Sequence, residues 1–401
     1  MPTRSPPVDH AGTARRSFWI AWAATVTFFA AFYALLTPLP RYLTAVGLPD
    51  EQIGLVLAAF GVAALLGRPA AGFATDRWGA RPVMLAGAAA LLVGALAVGT
   101  TVNVALLFGL RLLQAAGYAA FTTAGTGLVV LLAAPAQRGQ RLALFGAAAN
   151  VAITLTPAAV SLLLAAHPLT TGFLLSGGLA LAAAGLAWQL PARRAGGPRG
   201  ASPRLSFPRR LWPSMVAAGL LGVGFTAFFQ FAPLLAARRG TLDVGWLYTS
   251  YGLGLILARV GAGGLVDRWG TGRLLVLTAL LMAAGLALFA VAATPGRLLL
   301  ASLLLAAAGL FHPTLLAHHA ALLPTAPGQA SAAFYVGFDL GIGLGSWLLG
   351  WALAAAGLAG LYGAASLAAL GVLPLIPVIA RQRPTPTTSL ADADKGLDPD
   401  A

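Results

Sequence analysis

A few ionisable side chains stand inside long apolar runs of this sequence, and they limit the chemistry the chain can do. Arg68, Arg111 and Arg259 are cations, Asp339 is a carboxylate, and His312 with the pair His318–His319 supplies imidazoles. Asp339 is the one acid deep within any apolar run. An isolated carboxylate is costly in hydrocarbon, so Asp339 needs either a cationic partner or a proton to carry. A buried arginine is costly for the same reason, which makes Arg111 a functional candidate. His312 and His319 are seven residues apart and share a helical face, a spacing that raises metal binding or intramembrane proteolysis. No H-E-x-x-H pattern accompanies them, and the only glutamate, Glu51, falls outside the apolar runs. Cysteine is absent, which removes thiol chemistry, disulfides and Cys-based metal sites. No Walker A phosphate loop is present, so ATP hydrolysis is not expected. The chain is therefore expected to be neither an enzyme nor the holder of a metal or cofactor.

The elements that must position these groups are apolar helices. Of 401 residues, 59% are hydrophobic and 9% charged, and the mean hydropathy is +0.84. Such a composition is too apolar for a soluble domain. A bilayer core about 30 Å thick needs roughly 20 apolar residues per helix. Twelve spans fit, at about 17–37, 53–74, 83–101, 104–132, 141–164, 169–190, 212–236, 243–265, 273–293, 297–322, 329–353 and 357–380. Residues 1–16 are Pro-rich and polar, 191–211 form a basic Gly/Pro linker, and 381–401 form an acidic, Pro/Thr-containing tail; all three are expected to be disordered. Arg15-Arg16 before the first run imitates a twin-arginine leader. The length of that run and its lack of a small-residue cleavage site favour a retained helix.

The two halves repeat. A shift of 191 residues carries Arg68 onto Arg259, Gly72 onto Gly263, and Asp76-Arg77-Trp78-Gly79 onto Asp267-Arg268-Trp269-Gly270. The molecule reads as a duplication of six-span units, 17–190 and 212–380, each with a charged turn after its second span. The net charge of +14 follows the same plan. With both termini placed inside the cell, 18 of the 25 Lys and Arg fall on the cytoplasmic side, 4 outside and 3 within spans. That asymmetry reports membrane topology, so a nucleic-acid partner is not expected.

The charged turn carries a family resemblance. Gly72-x-x-x-Asp76-Arg77-x-Gly79-x-Arg81 resembles the cytoplasmic signature G-x-L-A-D-R-x-G-R-K of the major facilitator superfamily, departing at Ala74, Thr75, Ala80 and Pro82. The resemblance covers about residues 17 to 380. It implies an all-α membrane protein of twelve transmembrane helices in two pseudo-symmetric six-helix halves. It also implies a secondary transporter working by alternating access in the cell's inner membrane, with the lipid bilayer and a small-molecule substrate as partners. A monomer is expected.

Within that resemblance, Gly72, Asp76, Arg77, Gly79 and Arg81, echoed by Asp267 and Arg268, form a conformational latch. Asp76 would accept hydrogen bonds at the start of the eleventh helix, near Gln329 to Ser331, where a helix dipole favours an anion. Arg111-x-x-Gln114 resembles a second family signature that is associated with proton coupling or with anionic groups. Arg68 lies eight residues before Asp76 and Asp339 ten residues past Gln329, so both stand roughly 12–15 Å into the membrane at 1.5 Å per residue. They are expected to pair across the halves when the cytoplasmic side is closed, whereas Arg259 has only Asn150 and Thr154 opposite. In the family, helices 1, 4, 7 and 10 line the pore, which makes Gln114, Phe228, Gln230 and His312 candidates for the substrate cavity. His312 would bond substrate or titrate during transport. The residue style resembles the bacterial efflux branch, with protons as coupling ion and an apolar or amphipathic compound as cargo. Uptake symport, or a non-transporting receptor or scaffold with the same fold, are the alternatives.

Overall fold

The computed structural model describes residues 10–132, 138–192, 207–261, 265–323 and 327–382. Of the expected tails and linker, residues 1–9, 193–206 and 383–401 lie outside the described residues, whereas 10–16, expected to be disordered, belong to the first helix and 209–211 form a 3-10 turn. Among those described, the chain forms α-helices and short 3-10 turns with no strand. The first half runs α1 (His10–Tyr33), α2 (Pro38–Ala45), α3 (Asp50–Trp78), α4 (Ala80–Val98), α5 (Val104–Leu132), α6 (Arg138–Ala166) and α7 (Leu169–Trp188). The second runs α8 (Trp212–Arg239), α9 (Val244–Gly261), α10 (Leu265–Val291), α11 (Pro295–Ala308), α12 (Phe311–Leu322), α13 (Pro327–Leu370) and α14 (Ile376–Arg381).

Ten segments among the described residues are long and apolar enough to cross a membrane. The expected spans and the helices differ where backbone chemistry intervenes. The first crossing segment, Ala14–Ala45, breaks after Tyr33 and resumes at Pro38, whose fixed φ suits a helix start. The tenth expected span is divided into α11 and α12 at Gly309–Leu310. Pro313 has no N–H to offer the Gly309 carbonyl, so the helix restarts there. α13 continues through two expected spans, but the backbone leaves helical geometry at Ala356 and Gly357, where φ of Gly357 is +62°. The count of twelve therefore depends on dividing α13 at that bend and on including α9, which falls outside the ten.

The duplication is visible in the backbone. Gly79 closes α3 with φ +91°, and Gly270, its counterpart 191 residues on, has φ +71° within α10. Both turns demand a left-handed residue that only glycine adopts without strain, and each reverses the chain between two long helices. Packing follows the same symmetry: α13 lies on α3 across the halves, and α6 lies on α9. Backbones approach closely because side chains are missing where they cross. A Cβ on Gly61 would fall 2.3 Å from Gly343 Cα, and one on Gly54 would fall 2.7 Å from Gly350 Cα. Small residues at such crossings let membrane helices gain van der Waals contact, since apolar side chains gain nothing by leaving lipid.

Candidate functional site

The interface between halves has a closed end and an open end. On the side away from the charged turns, Arg238 at the end of α8 pairs with Asp50 at the start of α3, and Ser161 of α6 donates to Asp243 just before α9. The glycine crossings at Gly54–Gly350 and Gly61–Gly343 continue this seam inward. It ends at Arg68 and Asp339. Beyond them, toward the charged turn, no hydrogen bond or ion pair joins α3 to α13 among the described residues, and Asp76 and Arg77 are exposed. The halves thus meet on one side and part on the other.

Arg68 and Asp339 stand at the divide. Arg68 Nε donates to Asp339 Oδ2 at 2.8 Å, and the side chains are 22% and 2% exposed. One partner comes from α3 and the other from α13, so the ion pair spans the halves. Its guanidinium also lies 4.6 Å from the Tyr335 ring centroid and 5.9 Å from that of Tyr118, again one ring from each half. The pair forms here while the charged-turn side is open. It closes the inner end of the glycine seam.

Arg111 is 3% exposed on α5. Its Nη1 donates to Gln114 Oε1 at 3.0 Å, and Gln114 Nε2 donates to the Gly94 carbonyl of α4 at 2.8 Å. The charge lies over Phe32 and Phe60, with centroids at 5.3 and 5.6 Å, and Nε has no partner. Gln114 is fully buried, so the structure places it as the brace that orients Arg111 and joins α5 to α4, not as a wall open to a cavity. Phe228 is 1% exposed and packs on Phe229, Tyr248, Tyr251 and Phe289 inside the second half. Gln230, also buried, has an Oε1 without a partner. His312 is half-buried in the gap, ringed by Phe334, Tyr335 and Phe338. Arg259 is half-buried too, with Nε lacking a partner.

At the charged turn, Asp76, Arg77 and Trp78 are exposed, and Asp76 has no partner among the described residues. Gly79 N–H bonds the Thr75 carbonyl at 2.8 Å, and Arg81 lies 4.5 Å from the Trp188 centroid. Arg268 is exposed, and the Asp267 side chain lies outside the described residues. The expected contact of Asp76 with the start of α13 is not made in this open arrangement.

Sequence reasoning did not single out the tyrosines. Tyr118 and Tyr335 flank the Arg68 guanidinium from opposite halves. A partial signal was available: of the chain's seven tyrosines, six fall within expected spans, these two among them, and only Tyr42 lies outside.

Comparison with known proteins agrees with this architecture. The model of the Major Facilitator Superfamily matches the chain over residues 21–242 and 239–399. A "Chloramphenicol resistance protein" of Pseudomonas aeruginosa is 27% identical over 291 residues, 67% of this chain and 68% of its own length. Among solved structures, the nucleoside transporter NupG superposes with a TM-score of 0.77 at 14% identity, covering 90% of this chain and 99% of its own. The human organic anion transporter MFSD10 (TETRAN) gives 0.65 at 20%, covering 93% and 100%. A peptide transporter, POT, gives 0.75 at 16%, covering 93% and 99%. The structural likenesses speak to the fold, and the family match runs along both halves of the duplication. The chain belongs to the major facilitator superfamily.

Proposed function

We propose that this membrane transporter exports a small amphipathic compound in exchange for protons, with its charged turns and both termini on the cytoplasmic side of the inner membrane. The observation that carries the coupling is the Arg68–Asp339 pair. Asp339 is the acid at the centre of the interface, and its one ionic partner among the described residues belongs to the opposite half. A proton arriving at Asp339 removes its charge and releases Arg68, which frees the seam to part; losing the proton restores the pair. A carboxylate that alternates between a guanidinium and a proton ties protonation to the relative position of the halves. Export is favoured over uptake by the likeness to a resistance protein, and orientation by the excess of Lys and Arg on the charged-turn side. Alternation takes place through the open charged-turn side seen here and a second arrangement in which Asp76 caps the start of α13 and the glycine seam parts.

The test is transport by purified protein in liposomes with an imposed pH gradient, across a panel of amphipathic compounds. Accumulation that follows the gradient and is lost with Asp339→Asn is the expected result. Transport indifferent to the gradient would refute proton coupling, and accumulation along the proton gradient would make the protein a symporter.

A further inference from the structure

The centre of the interface holds two guanidiniums, Arg68 and Arg259, with a third, Arg111, buried inside the first half, and among the described residues Asp339 is the one carboxylate there. Asp50 and Asp243 stand at the closed end and Asp76 at the exposed turn, while Asp267 belongs to the second turn, eight residues beyond Arg259. The centre is therefore electropositive, in surroundings where an unpaired charge is expensive.

The duplication shows where the missing charge belongs. Arg68 and Arg259 are equivalent by the 191-residue shift. The counterpart of Asp339 under that shift is Ala148, on α6, which packs on α9 as α13 packs on α3. One arginine of the symmetric pair has its carboxylate, and for the other the equivalent position is an alanine. The polar side chains of α6, Asn150 and Thr154, do not replace it: neither makes a hydrogen bond with Arg259 among the described residues. Arg259 Nε is buried without a partner. Half-buried aromatic rings border the same gap: Tyr33 and Tyr118 from the first half, Phe225 and Tyr335 from the second.

We propose that the substrate is an amphipathic organic anion whose carboxylate takes the place opposite Arg259 that Asp339 occupies opposite Arg68, with its apolar body against the tyrosines. This rests on the transporter reading above and goes beyond it by fixing the charge of the cargo. A carboxylate offers a guanidinium two parallel hydrogen bonds, and in a water-poor site such a contact discriminates strongly against a neutral analogue.

Three probes with one body and different charge test this: dansylglycine, its carboxamide, and dansylethylenediamine. Each is titrated at pH 7.4 into the purified full-length transporter, with binding read by energy transfer from tryptophan. The carboxylate should bind at least about tenfold more tightly than the amide, as expected for one charge-assisted contact. In Arg259→Gln the ratio of the two affinities should fall to near one, and in Arg259→Lys it should survive in part. Because the ratio is measured within each variant, a loss of correctly folded protein cannot imitate the result. Equal or tighter binding of the amide or the amine, a ratio unchanged in Arg259→Gln, or no binding of any probe would overturn the assignment. Gradient-driven transport of neutral or cationic compounds in liposomes would at the same time leave the exporter reading standing. Failure of that transport while the carboxylate still binds selectively would strike the exporter reading alone.

Discussion

A single methyl group at Gly61 should unseat the closed end of the transporter. A Cβ there would stand 2.3 Å from both Cα and N of Gly343 and 2.5 Å from the Asp339 carbonyl oxygen. Ordinary contact begins at 3.4 Å, so α3 and α13 must part by about 1.1 Å to admit it. Every atom in the way is backbone, and none can swing aside. Overpacking of this kind costs about 1–3 kcal/mol. The cost applies only to the arrangement in which the seam is closed, so it shifts the conformational balance about 5- to 150-fold toward the opposite one. The chain's lack of cysteine makes the shift measurable. Ser346→Cys places a thiol on α13 where the residue is fully buried and its carbonyl abuts Gly54. Its labelling by a membrane-impermeant maleimide should be slow alone and at least fivefold faster with Gly61→Ala. Gly341→Ala is the control. Its Cβ would meet the Gly219 carbonyl oxygen at 2.0 Å, but α8 and α13 belong to one half, so it should lower the melting temperature without changing the labelling rate. Equal labelling with and without Gly61→Ala would show that the glycine seam does not govern the opening.

Further expectations concern the turn, the buried brace and topology. Asp76→Asn should leave abundance near normal and slow transport several-fold, as loss of a helix-dipole contact of about 1 kcal/mol in the alternate arrangement implies; unchanged transport rates would count against the latch. Gln114→Leu strips a partner from Arg111 and from the Gly94 carbonyl, and should destabilise the protein by about 1–3 kcal/mol, read as a lower melting temperature in detergent. A melting temperature equal to that of the unaltered protein would show that the brace contributes nothing. Gly196→Cys should react only with reagents on the cytoplasmic side and Thr241→Cys only from outside; the reverse pattern would invert the orientation.

Periodic features of the chain were legible, and contacts set by rotation about a helix axis were not. Apolar length and the 191-residue repeat locate the helices and the reversals at Gly79 and Gly270, since both depend on local sequence. Depth is legible too, because each helical residue advances about 1.5 Å. Counting from the turn puts Arg68 and Asp339 at like heights, and their side chains lie 2.8 Å apart. Which way a side chain points is a different matter in an apolar helix. With little polar face to orient it, the sequence does not say that Gln114 turns toward Gly94 or that Phe228 turns into its own half. The meeting of Gly61 with Gly343 is similarly hidden, because many glycines stand in these helices and only packing selects the pairs. The bend at Ala356–Gly357 was not distinguishable from a loop for a related reason: glycine permits a helix break and a tight turn alike.

If the inter-half ion pair couples protonation to movement, as proposed, exchanging its two charges will preserve what removing either destroys. Removing one partner strands the other in a low-dielectric site, at a cost of about 3–5 kcal/mol. Asp339→Asn and Arg68→Gln should therefore each reduce gradient-driven transport in liposomes to near background. The measurement that decides is the transport rate of the double variant Arg68→Asp with Asp339→Arg, at equal reconstituted amounts. Recovery well above both single variants is the predicted result. A double variant no more active than Asp339→Asn would contradict the account, because it would show that the carboxylate acts from α13 alone and the pairing with Arg68 is incidental.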